Sequence, residues 1–219
     1  MMARTADKLI SDIRKEVSSG ILKPGDQLEV NALAERFGVS RTPIREAIRT
    51  LVESGVLETR PRKGSFVRVL SAKQLLDLFQ VAAELEGMAC RLAALSLTKE
   101  NVEAIERGLA KCTQAAEVQN NAEYAMANLD FHTAIHNASG NDWLIEQLRQ
   151  LQINLNSYRT IPYEIRGRLK KSTDEHKIIC DAILSGAGDH ACNLMRDHMM
   201  LQGKRLPSII ASLEQQKNN

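Results

Sequence analysis

Residues 38–69 read GVSRTPIREAIRTLVESGVLETRPRKGSFVRV, and their pattern predicts a helix followed by a hairpin. Gly38 is placed to turn the chain. Ser40 then precedes the helix, where a hydroxyl accepts a first-turn N–H. Pro43 lies within that first turn, where a missing N–H costs little. At about 100° per residue, with Arg41 at zero, Arg45 falls at about 40°, Arg49 at about 80° and Thr42 at about 100°. Ile44, Ala47, Ile48 and Leu51 fall between about 240° and 340°. The helix is therefore apolar on one face and carries three arginines and a threonine on the other.

Upstream, residues 5–19 carry Leu9, Ile10, Ile13 and Val17 on one helical stripe, ended by Gly20 and Pro24-Gly25. A short second helix is predicted from Val30 to Phe37. Two helices joined by a tight Gly-Val-Ser turn form a helix-turn-helix, whose second helix enters a DNA major groove. Arginine suits that face, because its fork bonds guanine O6 and N7, or a phosphate, through two parallel bonds. Downstream, Leu57–Arg60 and Ser65–Val69 alternate as short strands around Pro61, Arg62, Lys63 and Gly64. A basic hairpin beside a helix-turn-helix is a wing, with a tip suited to backbone or minor groove.

The charge distribution agrees. Residues 1–70 hold 13 Lys/Arg against 9 Asp/Glu, a net of +4, whereas residues 71–219 hold 16 against 18, a net of −2. Apolar residues make up 43% and aromatics only 4% of the chain, which favours helix over sheet. Asp77 and Glu84 interrupt the longest apolar stretch, so no membrane span is expected. The N-terminus lacks the apolar segment of a secretory signal. Cys90, Cys112, Cys180 and Cys192 form no CxxC pair, which suits reduced thiols in a cytoplasmic protein.

From Ser71 the pattern is helical throughout. Ser71 and Gln74 form a capping-box pair, and Thr98 caps a helix to about Val118. Ala122–Ala138 and Asp142–Ser157 follow. Ser172 and Glu175 are read as a second capping box opening a helix to Leu184, and Asp189 as the cap of a last helix to about Leu213. The expected fold class is mainly α: a winged helix-turn-helix over 1–70, then an antiparallel six-helix bundle over 71–219. Asn128, His132 and His136 are spaced at i, i+4 and i+8, so they share one helical stripe, while His176 and His198 lie on two other helices. Imidazoles converging from three helices make a candidate metal cup; hydrogen-bonded structural histidines are the other reading. The HTAIH run at 132–136 has Thr133 where a zinc protease needs glutamate, so that chemistry is excluded. No GxSxG, P-loop or GxGxxG occurs.

GILKPGDQLEVNALAERFGVSRTPIREAIRTLVESGVLETRPRKGSFV closely resembles the winged-helix domain of the GntR family of bacterial transcription regulators. The resemblance implies operator contacts by Arg41, Thr42, Arg45 and Arg49, approach of the wing tip at Lys63 and Gly64, and a further contact at Asn31. FQVAAELEGMACRLAA, NLDFHTAIHNASGND and DEHKIICDAILSGAGDHACNLMRDHM resemble the three signature stretches of the FCD effector domain of the FadR subfamily, in its shorter, VanR-like branch. This second resemblance implies a divalent metal, zinc or nickel, held by His132, His176 and His198 with position 128, and a small carboxylate effector beside it. It further implies a double-stranded DNA operator as partner and a homodimer.

Two residues depart from the FCD pattern. Asn128 replaces an aspartate, so the fourth ligand would bring no charge. Ala82 replaces a carboxylate-binding arginine, which leaves Arg159, or Tyr158 beside it, as the expected anion contact. His136 and His190 match no ligand position and are expected at the surface or in supporting roles. The leading expectation is a regulator without enzymatic activity. A metal-dependent enzyme tethered to DNA, or a constitutive DNA-binding protein without effector, are the alternatives.

Overall fold

The computed structural model describes residues 2–18, 20–159, 163 and 166–200. The first of two compact units spans Met1–Leu70 and holds α1 (Met2–Ser18), β1 (Gln27–Leu28), α2 (Val30–Phe37), α3 (Arg41–Glu53), β2 (Leu57–Arg60) and β3 (Gly64–Val67). Of the apolar stripe predicted for the first helix, Leu9, Ile13 and Val17 are buried with Ile44, Ala47, Ile48 and Leu51 of α3, and Ile10 is half-buried. Each large side chain fully buried there contributes about 1.5–3 kcal/mol. Gly38 ends α2 at φ 65°, a left-handed conformation that favours glycine, and its N–H bonds back to Glu35 O at 3.2 Å. Ser40 holds the N-cap position of α3, but its hydroxyl makes no capping bond.

The hairpin is larger than the sequence suggested. The sheet has three strands in the order β1-β3-β2, all antiparallel, with Gln27 opposite Phe66 and Thr59 opposite Ser65. A two-residue strand such as β1 is too short to leave a periodic signal. Arg62 takes φ 62° in the wing turn, a conformation that costs an L-residue roughly 1–2 kcal/mol. Gln27 steadies the turn by donating its side-chain amide to the Lys63 carbonyl at 2.8 Å.

The second unit, Ser71–Asn219, holds α4 (Ala72–Leu95), α5 (Lys99–Glu117), α6 (Asn121–Ala138), α7 (Asp142–Arg159), α8 (Arg168–Leu184) and a further helix, α9, described over 188–200. The fold is thus mainly α with a small wing sheet, as expected. The capping box at Ser71 and Gln74 is present, and Thr98 caps α5. Asn120 and Asn141 cap α6 and α7 through their side-chain oxygens, at 3.1 Å each. α5 lies against α6 at Gly108, where an added Cβ would lie 2.8 Å from the Phe131 Cα.

Two boundary readings are corrected. Ser172 and Glu175 are not a capping box. The N-cap of α8 is Gly167, so Ser172 sits in the second turn, buried, where backbone N–H groups are already used within the helix. Similarly, α9 is helical from residue 188, which puts Asp189 inside its first turn, paired with Arg91 at 2.7 Å. The predicted end at Leu213 lies outside the described residues.

Candidate functional site

The first unit presents the basic surface. Arg41, Thr42, Arg45, Glu46 and Arg49 all face solvent on α3, while Pro43, Ile44, Ala47, Ile48 and Leu51 face inward. The angular reading of this helix is therefore matched residue by residue. Arg49 stands 3.8 Å from Glu53, an exposed pair that holds it loosely. Asn31 is exposed in the first turn of α2, and Arg62, Lys63 and Gly64 are exposed at the wing tip. Arg60 lies over the Phe66 ring at 4.3 Å and pairs with Glu58, which fixes the base of the wing.

The second unit gathers its histidines. His132 from α6, His176 from α8 and His198 from α9 are all buried, and their ligand-capable atoms lie within 4.8 Å of one another. His176 Nε2 and His198 Nε2 are 3.3 Å apart. That is close to the separation of two imidazole nitrogens about 2.1 Å from one tetrahedral ion. The His176 ring stacks on Phe131, with centroids 4.5 Å apart.

Asn128 lies one turn before His132 on the same face of α6. Its Oδ1 is buried without a hydrogen-bond partner among the described residues. A buried amide oxygen left this way costs about 1–3 kcal/mol unless a ligand takes it up. A cation beside three imidazoles is such a ligand, and the donor set of three nitrogens and one amide oxygen suits a divalent metal.

Two carboxylates escaped sequence reasoning. Glu86 of α4 is buried and its Oε2 lies 2.9 Å from His132 Nδ1 and 2.8 Å from His136 Nε2. Burial pushes the Glu86 carboxyl up, but His132 and His136 outweigh it and hold it well below the usual carboxylate range. Glu175 accepts from His198 at Nδ1, 2.7 Å, and from the Arg168 guanidinium at 3.2 Å. Burial opposes its charge, yet the bonds from His198 and Arg168 bring it down to about 2. Each carboxylate holds one imidazole through Nδ1, which fixes its tautomer and ring orientation together.

The signal for Glu86 was available: it shares a helical face with Phe79, Ala82, Ala83 and Cys90, all buried. A carboxylate on an apolar face needs a partner. His136, expected at the surface or in support, is buried with its Nε2 2.8 Å from Glu86 Oε2, while His190 is exposed. Tyr158 is buried on α7, and the Arg159 side chain lies outside the described residues.

Comparison with known proteins places both units. Residues 5–67 match the bacterial regulatory proteins of the gntR family, and residues 77–200 match the FCD domain. The Glc operon transcriptional activator of Escherichia coli (strain K12) is 32% identical, with 95% of this chain and 89% of that one covered. The Nta operon transcriptional regulator of Aminobacter aminovorans is 28% identical over 86% of this chain and 88% of its own. Among solved structures, E. coli McbR/YncC superposes with a TM-score of 0.82 at 27% identity, covering 97% of this chain and 98% of that one. The chain belongs to the GntR family of bacterial transcription regulators and carries an FCD domain as its second unit.

Proposed function

We propose that this regulator binds its operator as a homodimer and that a small carboxylate, taken up at a metal centre in the FCD domain, modulates that binding. The observation that carries the reading is the buried Asn128 Oδ1, without a hydrogen-bond partner among the described residues, one turn from His132, beside His176 and His198, whose Nε2 atoms stand 3.3 Å apart. His132, His176 and His198 would hold a divalent ion, zinc or nickel, with Asn128 as a neutral fourth donor. Such an ion supplies positive charge and open coordination positions for a carboxylate. Glu86 and Glu175 keep the imidazoles oriented, and Phe131 covers the His176 ring against water. Tyr158 and Arg159 remain the candidate anion contacts. Arg41, Thr42, Arg45 and Arg49 would read the major groove, with Asn31, Lys63 and Gly64 at backbone and minor groove.

The test couples two titrations. Untagged protein purified without chelator is analysed for bound metal, then titrated with zinc and nickel. Operator binding is followed by fluorescence anisotropy with and without a panel of small carboxylates. Metal uptake at micromolar concentration, lost in His176→Ala, together with carboxylate-dependent operator release, supports the reading. No uptake, with an effector response intact in His176→Ala, makes the histidines structural and overturns the metal centre. Turnover of a carboxylate would instead favour an enzyme.

A further inference from the structure

Cys90 of α4 and Cys192 of α9 are free thiols, and both are buried. Their helices touch where α4 has no side chain. An added Cβ at Gly87 would lie 3.0 Å from the Cys192 carbonyl oxygen and 3.0 Å from its Sγ. Cys90 follows Gly87 by three residues, and positions so spaced on a helix set their Cβ atoms about 5–6 Å apart. The Cys192 sulfur therefore stands about one side chain's length from Cys90, where a small shift brings two sulfurs to bonding distance.

A charged group addresses the same sulfur. Arg91, beside Cys90 and exposed, donates from Nη2 to Cys192 Sγ at 3.6 Å and from Nε to Asp189 at 2.7 Å. Asp189 lies one turn before Cys192 on α9, so the two bonds fix the guanidinium over the thiol. We infer that Cys192 and Cys90 are a peroxide-reactive pair that closes to a disulfide between α4 and α9.

The chemistry balances in two steps. The Cys192 sulfur attacks one peroxide oxygen. An S–O bond forms, the O–O bond breaks, and the leaving hydroxide takes the thiol proton to become water. Arg91 is placed to donate to that leaving oxygen. The Cys90 sulfur then attacks the sulfenic acid. An S–S bond forms, the S–O bond breaks, and the second hydroxide leaves as water with the Cys90 proton. Two thiols lose two electrons and one peroxide gains them. The surroundings assign the order. Burial foremost, with Glu86 and Cys192 adding to it, pushes the Cys90 thiol well above its ordinary value, so Cys90 is the poorer first nucleophile. Cys192 lies under an exposed guanidinium and meets the oxidant first.

The disulfide reaches the histidines. Closure brings the two Cβ atoms to about 3.8 Å. Because α4 and α9 already touch at Gly87, α9 must turn to comply, and His198 lies on it less than two turns beyond Cys192. Oxidation should therefore lower divalent metal affinity about 10-fold, the loss that follows when a ligand's support is misplaced. This consequence rests on the metal centre proposed above.

The full chain is oxidised with hydrogen peroxide, from micromolar to millimolar, under native conditions and then peptide-mapped without reductant. A linked Cys90–Cys192 peptide should form at a rate proportional to peroxide and open again with dithiothreitol, while Cys112 and Cys180 stay reduced. In Cys90→Ala, dimedone should trap a sulfenic acid on Cys192. In Cys192→Ala, Cys90 should stay reduced. Circular dichroism checks that both variants are folded, and the wild-type map decides the pair without them. No linked peptide at millimolar peroxide overturns the pair. So does oxidation of all four thiols at one rate independent of peroxide, because global opening then exposes them. Metal titration of the reduced and oxidised chains reads the consequence. Equal affinities overturn the coupling to His198. No uptake by either chain overturns the metal centre, and the peptide map still decides the thiol pair.

Discussion

Asn128 carries more information than any other single residue, because in the proposed metal centre it would be a neutral donor where charge would serve a cation better. Asn128→Asp should tighten divalent metal binding about 10-fold or more, since a carboxylate adds an attraction in a buried site; competition titration against a chelating dye measures it. On the DNA side, Arg45 lies centrally on the exposed face of α3. Arg45→Ala should cost about 1–3 kcal/mol for the operator and less for a scrambled duplex. Lys63→Ala should weaken both duplexes alike and lower the salt slope by about one. Anisotropy at several salt concentrations separates the two, and an unchanged operator affinity in Arg45→Ala removes α3 as the reading helix.

Cys112 predicts a pH dependence. Burial, aided by Asp130, pushes its thiol up to about 12. Folding therefore favours the neutral thiol. Its contribution is fully present below the ordinary thiol value near 9 and is lost as pH rises from there towards 12. Denaturant midpoints of wild type and Cys112→Ala should diverge less as pH climbs through that window.

Among the elements, α5 and α6 pack closely at Gly108. Gly108 lies against the Phe131 backbone, and Phe131 is followed directly by His132. Glycine to alanine inside a helix ordinarily gains about 1 kcal/mol. Here the added methyl meets the Phe131 Cα at 2.8 Å, so Gly108→Ala should lose roughly 1–3 kcal/mol instead. Urea unfolding gives the sign. The same substitution should lower metal affinity, because α6 cannot withdraw from α5 without carrying His132 away from His176 and His198. A stabilised Gly108→Ala protein would mean that the two helices separate without cost.

At the scale of the whole molecule, one α3 face reads only a few base pairs, so a two-fold dimer should require inverted half-sites about one helical turn, or a multiple of it, apart. Footprinting on a pseudo-palindromic site should protect both halves together, and changing the spacer by about five base pairs should abolish cooperative protection. A single half-site protected at saturation would contradict the paired reading. No helix among the described residues is long and apolar enough to cross a membrane.

The sequence by itself determined the elements that depend on local periodicity and capping. The α3 face from Arg41 to Arg49, the stop at Gly38 and the box at Ser71 and Gln74 each arise from residues within about a turn of one another, so their spacing alone encodes them. It also determined that His132, His176 and His198 sit on three helices. Local signals failed where the deciding group was elsewhere. Ser172 looks like a cap until α8 begins one turn earlier at Arg168. β1 exists only because β3 pairs with it.

Tertiary structure alone decided that Glu86, 46 residues from His132, orients that ring, and that Glu175 bridges Arg168 to His198. It alone decided that, among the described residues, Val81, Met88 and Leu95 of α4 stand exposed while Phe79, Ala83 and Cys90 are buried. These are meetings between side chains far apart in sequence. Which buried charge finds which imidazole is fixed by how the helices pack.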